Sequence, residues 1–366
     1  MLSKINRAHK LAPILAISGV IILGLLLLSF YSSTHTDVKS AAKSSYNATN
    51  ATFHYSCNTA DKTSLSCQEQ KYSDMTSRLG AVVSFAALKK AYSSDAATKA
   101  NCHQITHAIG RAEADSVKDV AQAYALGDNF CWSGYYHGVM ESIVIHIGSK
   151  KMNANLATIC APLKAQKLYS FAHYNCVHGL GHGIMYNDGS ELFTALKTCD
   201  LLDSSWERQS CYGGIFMENE MEEVNPDHTT AYLKADEPMY PCTAVDETYK
   251  YQCYLMQTSH ALKLANSDFS QVFTECAAVE SNFAAVCYQS LGRDASGNSI
   301  SQVEPTKNSC MYGPDQTARQ NCIIGAVKDF VSYYHSDRQA IQLCNALDSS
   351  LQPVCQTTTD SYYKTL

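Results

Sequence analysis

No Cys-x-x-Cys pair occurs anywhere in the 366 residues, and hence no Cys-x-x-Cys-His for covalent haem. A Gly-rich phosphate loop followed by lysine is missing too, as is a Gly-x-Ser-x-Gly elbow. Basic runs interleaved with aromatics are not found, so nucleic acid is not an expected partner. Only 8 prolines are present and strand-like alternation is sparse, which favours helices over a length ample for a large core. Two further absences are positional. Charged side chains are missing from Leu11 to Phe30, and cysteine is missing before Cys57.

Lys4, Arg7 and Lys10 precede the uncharged run, whose length is about what a helix needs to cross a bilayer. Positive charge before the span and an acidic remainder (net charge −6) put residues 1–10 in the cytoplasm, the anchor at 11–30 and the bulk outside. A cleaved signal peptide is the competing reading, but Ser29-Phe-Tyr-Ser-Ser33 offers no Ala-x-Ala site. Residues 31–55 are Ser/Thr/Ala/Asn-rich and read as a flexible stalk, in which Asn47 and Asn50 head glycosylation sequons. The expected location is therefore the cell membrane, single-pass, with residues 56–366 as an ectodomain. All 16 cysteines follow the anchor, as suits an oxidising compartment.

The cysteines carry the architecture. Cys199…Cys211, Cys242…Cys253, Cys276…Cys287, Cys310…Cys322 and Cys344…Cys355 align, and Cys242, Cys276, Cys310 and Cys344 are each 34 residues apart. A fixed period of this size marks a stacked array of helical hairpins. In each unit an acidic residue after the first cysteine (Asp203, Asp246, Glu280, Asp315, Asp348) is placed to cap a second helix that carries the second cysteine. Cys57…Cys67 is a shorter copy and Cys160…Cys176 a longer one, while Cys102 and Cys131 read as second-helix cysteines whose first-helix partners are missing. The favoured pairing joins Cys102 to Cys131, and the alternative makes them metal ligands. The fold expectation is thus an all-α chain, an α-solenoid of about nine stapled hairpins after a transmembrane helix. In architecture it resembles the disulfide-stapled relatives of Sel1 and tetratricopeptide repeats, which implies a superhelical scaffold and no particular functional residue. Gly134, Gly179, Gly214 and Gly325, each three positions after a helix cysteine, most simply permit close helix contact.

Seven of the 13 histidines lie between His103 and His182, and His103, His107, His137, His178 and His182 fall on the second helices of three consecutive units. His178 and His182, four apart, share a helix face. Glycine stands where a metalloprotease helix of that spacing needs its glutamate base. His107, His137 and His182 stand at matching heights, a ligand-like arrangement, with Glu141 and Glu218 within reach as candidate bases and His103 and His178 as further ligands or proton-transfer groups. Neutral imidazole suits zinc, copper or iron, and a three-histidine site with an open position activates water. Met140, Met185 and Met217 would tilt the choice toward copper if they faced the site, although methionines at helical spacing are more often core filler.

The expected function is a metal-binding or metal-dependent ectodomain. The alternative is a surface scaffold for a peptide, glycan or partner protein, with the histidines structural. The discriminating feature is geometric: ligand histidines converge on one point from several helices, whereas packing histidines each have a separate partner.

Overall fold

The structure, a computed structural model, describes residues 63–164, 170–221, 230–299 and 302–364. The expected anchor at 11–30, the stalk at 31–55 and Cys57 lie outside the described residues. Within them the chain is helical, without a strand, and no helix is long and apolar enough to cross a membrane. The helices are α1 (Leu65–Leu79), α2 (Ala81–Tyr92), α3 (Ala96–Ala100), α4 (Cys102–Val117), α5 (Val120–Ala125), α6 (Gly134–Ile147), α7 (Ser149–Ile159), α8 (Phe171–Asn187), α9 (Leu192–Cys199) and α10 (Ser205–Met221). They continue as α11 (Glu247–Met256), α12 (Thr258–Leu264), α13 (Phe269–Ala278), α14 (Ala284–Asn298), α15 (Val303–Cys310), α16 (Gln316–Tyr334), α17 (Arg338–Asn345) and α18 (Gln352–Tyr363).

Helix α1 packs on α4, and α4, α6, α8, α10 and α11 then pack each on the next, as do α11, α14, α16 and α18. The shorter helices flank this series. Cys199, Cys276, Cys310 and Cys344, at the ends of flanking helices, are bonded to Cys211, Cys287, Cys322 and Cys355 inside the helices that follow. Cys160, just past α7, and Cys242, in a turn before α11, are bonded likewise to Cys176 and Cys253, and Cys67 is bonded as well. Cys102 is joined to Cys131 with Cα atoms 5.7 Å apart, and no described cysteine is free to be a ligand.

Two local expectations are corrected. Of the five downstream acids, only Asp315 caps with its side chain, accepting from Ala318 N at 2.8 Å. Ser204 and Glu207 form a reciprocal capping box in place of Asp203. Asp246 flanks α11 without a side-chain bond, Glu280 accepts instead from Lys250 and Tyr254, and Asp348 lies too far before α18. A turn between acid and helix puts the Glu280 and Asp348 carboxylates beyond the first free N–H groups. Cys131, expected inside a helix, lies ahead of α6 in a left-handed turn: φ is 57° at Cys131, 56° at Trp132 and 61° at Ser133. Three consecutive non-glycine residues there cost about 1–2 kcal/mol each, and such conformations persist where surrounding contacts impose them.

Those contacts come from the far end of the chain. Trp132 packs on Tyr333 with ring centroids 4.4 Å apart, and its Nε1 donates to Asp329 Oδ2 at 3.3 Å. Phe171 at the start of α8 meets His335 just past α16 at 4.2 Å. The series therefore curls until α16 faces α6 and α8, and a cavity of about 210 Å³ lies between them.

Candidate metal centre

Helix α4 carries His103 and His107 one turn apart, α8 carries His178 and His182 likewise, and α6 brings His137 between them. Glycine draws these helices together. A Cβ on Gly138 would collide with the carbonyl of His107, and one on Gly214 with the carbonyl of His178. The expected groove is thus occupied by neighbouring backbone, and close backbones draw the imidazoles into one cluster. Ring centroids are 4.7 Å apart for His103–His107, 5.3 Å for His107–His137, 4.5 Å for His137–His182, 5.5 Å for His107–His182 and 5.1 Å for His178–His182. His146 and His173 stay outside, on Ser142 and Glu207.

The hydrogen-bond partners fix the tautomers. His103 Nδ1 faces the carbonyl of Cys131 at 2.9 Å and His178 Nδ1 that of Ser210 at 3.2 Å. His107 Nδ1 lies 2.5 Å from Glu141 Oε1 and His182 Nδ1 2.6 Å from Glu218 Oε2. Carbonyls and carboxylates only accept, so all four rings donate through Nδ1, and a neutral ring of that tautomer carries its lone pair on Nε2. Burial pushes the Glu141 carboxyl up, but His107 and Arg111 together hold it below its ordinary value. Its second oxygen accepts from Arg111 Nη1 at 2.6 Å, and Arg111 also reaches Glu69. With both oxygens engaged, Glu141 is placed to hold His107 rather than to take a substrate proton.

Two inward nitrogens lack partners. His182 Nε2 and His137 Nδ1 are buried without a hydrogen bond, and His103 Nε2 lies 3.1 Å from His107 Nε2. Two lone pairs at that distance repel unless a proton or a metal ion lies between them. A single proton there would leave His137 and His182 unsatisfied, and buried polar atoms are seldom left so. Burial, with the neighbouring imidazoles adding to it, pushes His103 and His182 down to about 3 and His137 and His178 well below their ordinary value, so these four rings are neutral and able to ligate. Two nitrogens at about 2.0–2.1 Å from one tetrahedral ion stand about 3.3 Å apart, close to the separation seen. Ligand atoms of His103, His107 and His137, and of His137, His178 and His182, lie within 4.8 Å of one another in each set; Glu141, His182 and Glu218 form a third such group. The donor set and the unpartnered atoms fit a transition metal.

The expected five histidines thus come together, and both glutamates stand behind ligands. The methionines divide. Met140 Sδ lies against Cys176 Sγ at 3.6 Å and Met185 is in the core, so neither tilts the centre toward copper; Met217 lines the cavity. His137 and His178 line the same cavity, opposite Trp132, Phe171, Lys328 and Asp329. Burial raises the Asp329 carboxyl to about 6. Sequence reading missed Arg111, Trp132 and Asp329. Arg111 stands one turn after His107, and Asp329 follows Cys322 by seven positions as Glu218 follows Cys211.

Comparison with protein-family models, with curated proteins and with solved structures finds no match.

Proposed function

We propose that this protein is a membrane-anchored, extracytoplasmic helical-repeat protein whose ectodomain binds a transition metal through histidines on α4, α6 and α8. One observation carries the reading: four imidazoles, three of them buried, are held by Nδ1 to acceptor-only groups, which turns their Nε2 atoms inward beside a His137 whose buried Nδ1 has no partner. A carboxylate or carbonyl behind each ligating histidine is the usual outer shell of a metal site. Packing histidines would each have a separate partner on both sides, whereas His182 Nε2 and His137 Nδ1 have none and the Nε2 atoms of His103 and His107 face only each other. The nitrogen donor set favours zinc, copper or iron. The cavity bordered by His137 and His178 gives a small molecule access, so a metal-dependent reaction is part of the proposal. The stacked order of stapled hairpins supports the solenoid reading, the seven described disulfides support an oxidising compartment, and the anchor rests on the uncharged run at 11–30.

The test is elemental analysis of the full chain, made without a histidine tag in an oxidising host, beside His182→Ala. At least one zinc, copper or iron per chain is expected, with His182→Ala folded and depleted. A folded wild-type chain that takes up no metal on reconstitution would sink the proposal.

A further inference from the structure

The two ends of the histidine cluster repeat one design. On α4, His103 donates to the backbone carbonyl of Cys131 and His107, one turn later, to the carboxylate of Glu141 on α6. On α8, His178 donates to the backbone carbonyl of Ser210 and His182, one turn later, to the carboxylate of Glu218 on α10. Each pair thus has one carbonyl-backed and one carboxylate-backed ligand, the backing groups coming from the next helix of the series or, for Cys131, from the turn just before it. Glycine contacts repeat as well: Gly134 and Gly138 meet the backbone of His103 and His107, and Gly214 meets that of His178. Two half-sites are built where one ion would need a single set.

His137 stands between them and differs from the other four, because no acceptor holds its buried Nδ1. It is stacked on His182, the rings 4.5 Å apart and 16° from parallel. An imidazole binds a metal ion in its own ring plane, and two stacked planes share no point within bonding reach of both nitrogens. In these ring orientations one ion does not lie in the planes of both His137 and His182, although their ligand nitrogens fall within 4.8 Å of one another. Against His103 and His107 the His137 ring is steeply inclined, at 70° and 80°, as rings around one ion are.

We propose that the cluster holds two divalent transition-metal ions, one at His103 and His107 and one at His178 and His182, with His137 between them. The inference rests on the metal-binding reading and adds its stoichiometry. One carboxylate behind each pair offsets the repulsion between two adjacent dications, which is strong in a medium of low dielectric. The pair on α8 faces the cavity through His178, so its open positions are the ones a small molecule would reach.

Titration of the full, untagged chain with zinc(II), and separately with copper(II), followed by elemental analysis after gel filtration, tests this. Two equivalents per chain are expected. His103→Ala/His107→Ala and His178→Ala/His182→Ala should each keep one, a twofold drop. In the copper form of the wild type, the integrated EPR intensity should fall short of the copper content because neighbouring ions couple. It should equal the copper content in either double variant. One equivalent in the wild type overturns the two-ion inference and leaves the metal-binding reading standing; none overturns both. Two equivalents with full EPR intensity would place the ions apart and overturn it as well. The wild-type counts decide the matter even if a double variant fails to fold.

Discussion

The α8/α10 pair and the α14/α16 pair are packed alike and charged differently. In the first, Gly181 meets the carbonyl of Cys211 and Gly214 that of His178; in the second, Gly292 meets the carbonyl of Cys322 and Gly325 that of Gln289. Counted from Cys176 and Cys287, His178 and His182 correspond to Gln289 and Arg293; counted from Cys211 and Cys322, Met217 and Glu218 correspond to Lys328 and Asp329. The α14/α16 pair thus carries its positive charge covalently. Arg293 bonds Asp294 and Ser259 at 2.7 Å each, and Lys328 donates to Gln289 at 2.9 Å. The α8/α10 pair has neutral imidazoles with a carboxylate behind, and under the proposed function its positive charge is a bound ion. One packing scheme then hosts a permanent cation in one place and, as proposed, a loadable one in the other.

The largest test of that comparison is at the matched glycines. Gly214→Ala and Gly325→Ala should each lower stability by about 2–3 kcal/mol, because the added Cβ meets backbone that cannot yield without moving a helix. Only Gly214→Ala should also lower the metal content; equal metal content in the two would show that the glycine contact does not build the centre. Arg293→Met is of similar size. It strips Asp294 of its ion-pair partner and should cost roughly 3 kcal/mol in denaturant unfolding, with metal content unchanged.

Glu218→Gln should keep the fold within about 1 kcal/mol yet weaken metal binding by about 10–100-fold, the usual cost of losing a group behind a histidine ligand. Competition against a chromophoric chelator reads this directly. An unaltered affinity would reduce the carboxylate to a packing partner.

The smallest effect concerns Asp329, whose carboxyl burial raises to about 6 against an ordinary 3.8, with Ser296, Trp132 and Arg293 opposing the rise and Asp294 adding to it. A raised folded value means that the native state holds this proton more tightly. Its stabilising contribution is therefore complete below about pH 4 and lost as pH rises through about 6. Asp329→Asn should accordingly gain on the wild type as pH rises from 4 to 7. Unfolding curves at pH 4, 6 and 7.5 with a constant difference would show that the carboxyl does not titrate in that window.

Much of the centre was legible because its signals are local. The spacing of His178 and His182, the recurrence of histidine after Cys102, Cys131 and Cys176, and glycine at fixed offsets from the helix cysteines all follow from helical periodicity. The capping acids misled where a turn separates acid from helix, since that turn is set by how each hairpin closes and not by the count from the cysteine. Arg111 and Asp329 escaped because a lone arginine or aspartate on a helix is ordinary until its partner is known. The level-matching of His107, His137 and His182 recognised that three helices contribute, but helix stacking alone does not say that His137 lies flat on His182.

By itself the amino-acid sequence determined the helical class and the presence of five histidines on three helices, because each is encoded within a few turns of chain. Tertiary structure alone decided which nitrogen of each ring points inward, which glutamate stands behind which histidine, and that α16 returns to wall a cavity beside them. Those outcomes depend on how closely glycine lets backbones approach and on contacts such as Trp132 with Asp329, 197 residues apart. Local periodicity carries no information about either.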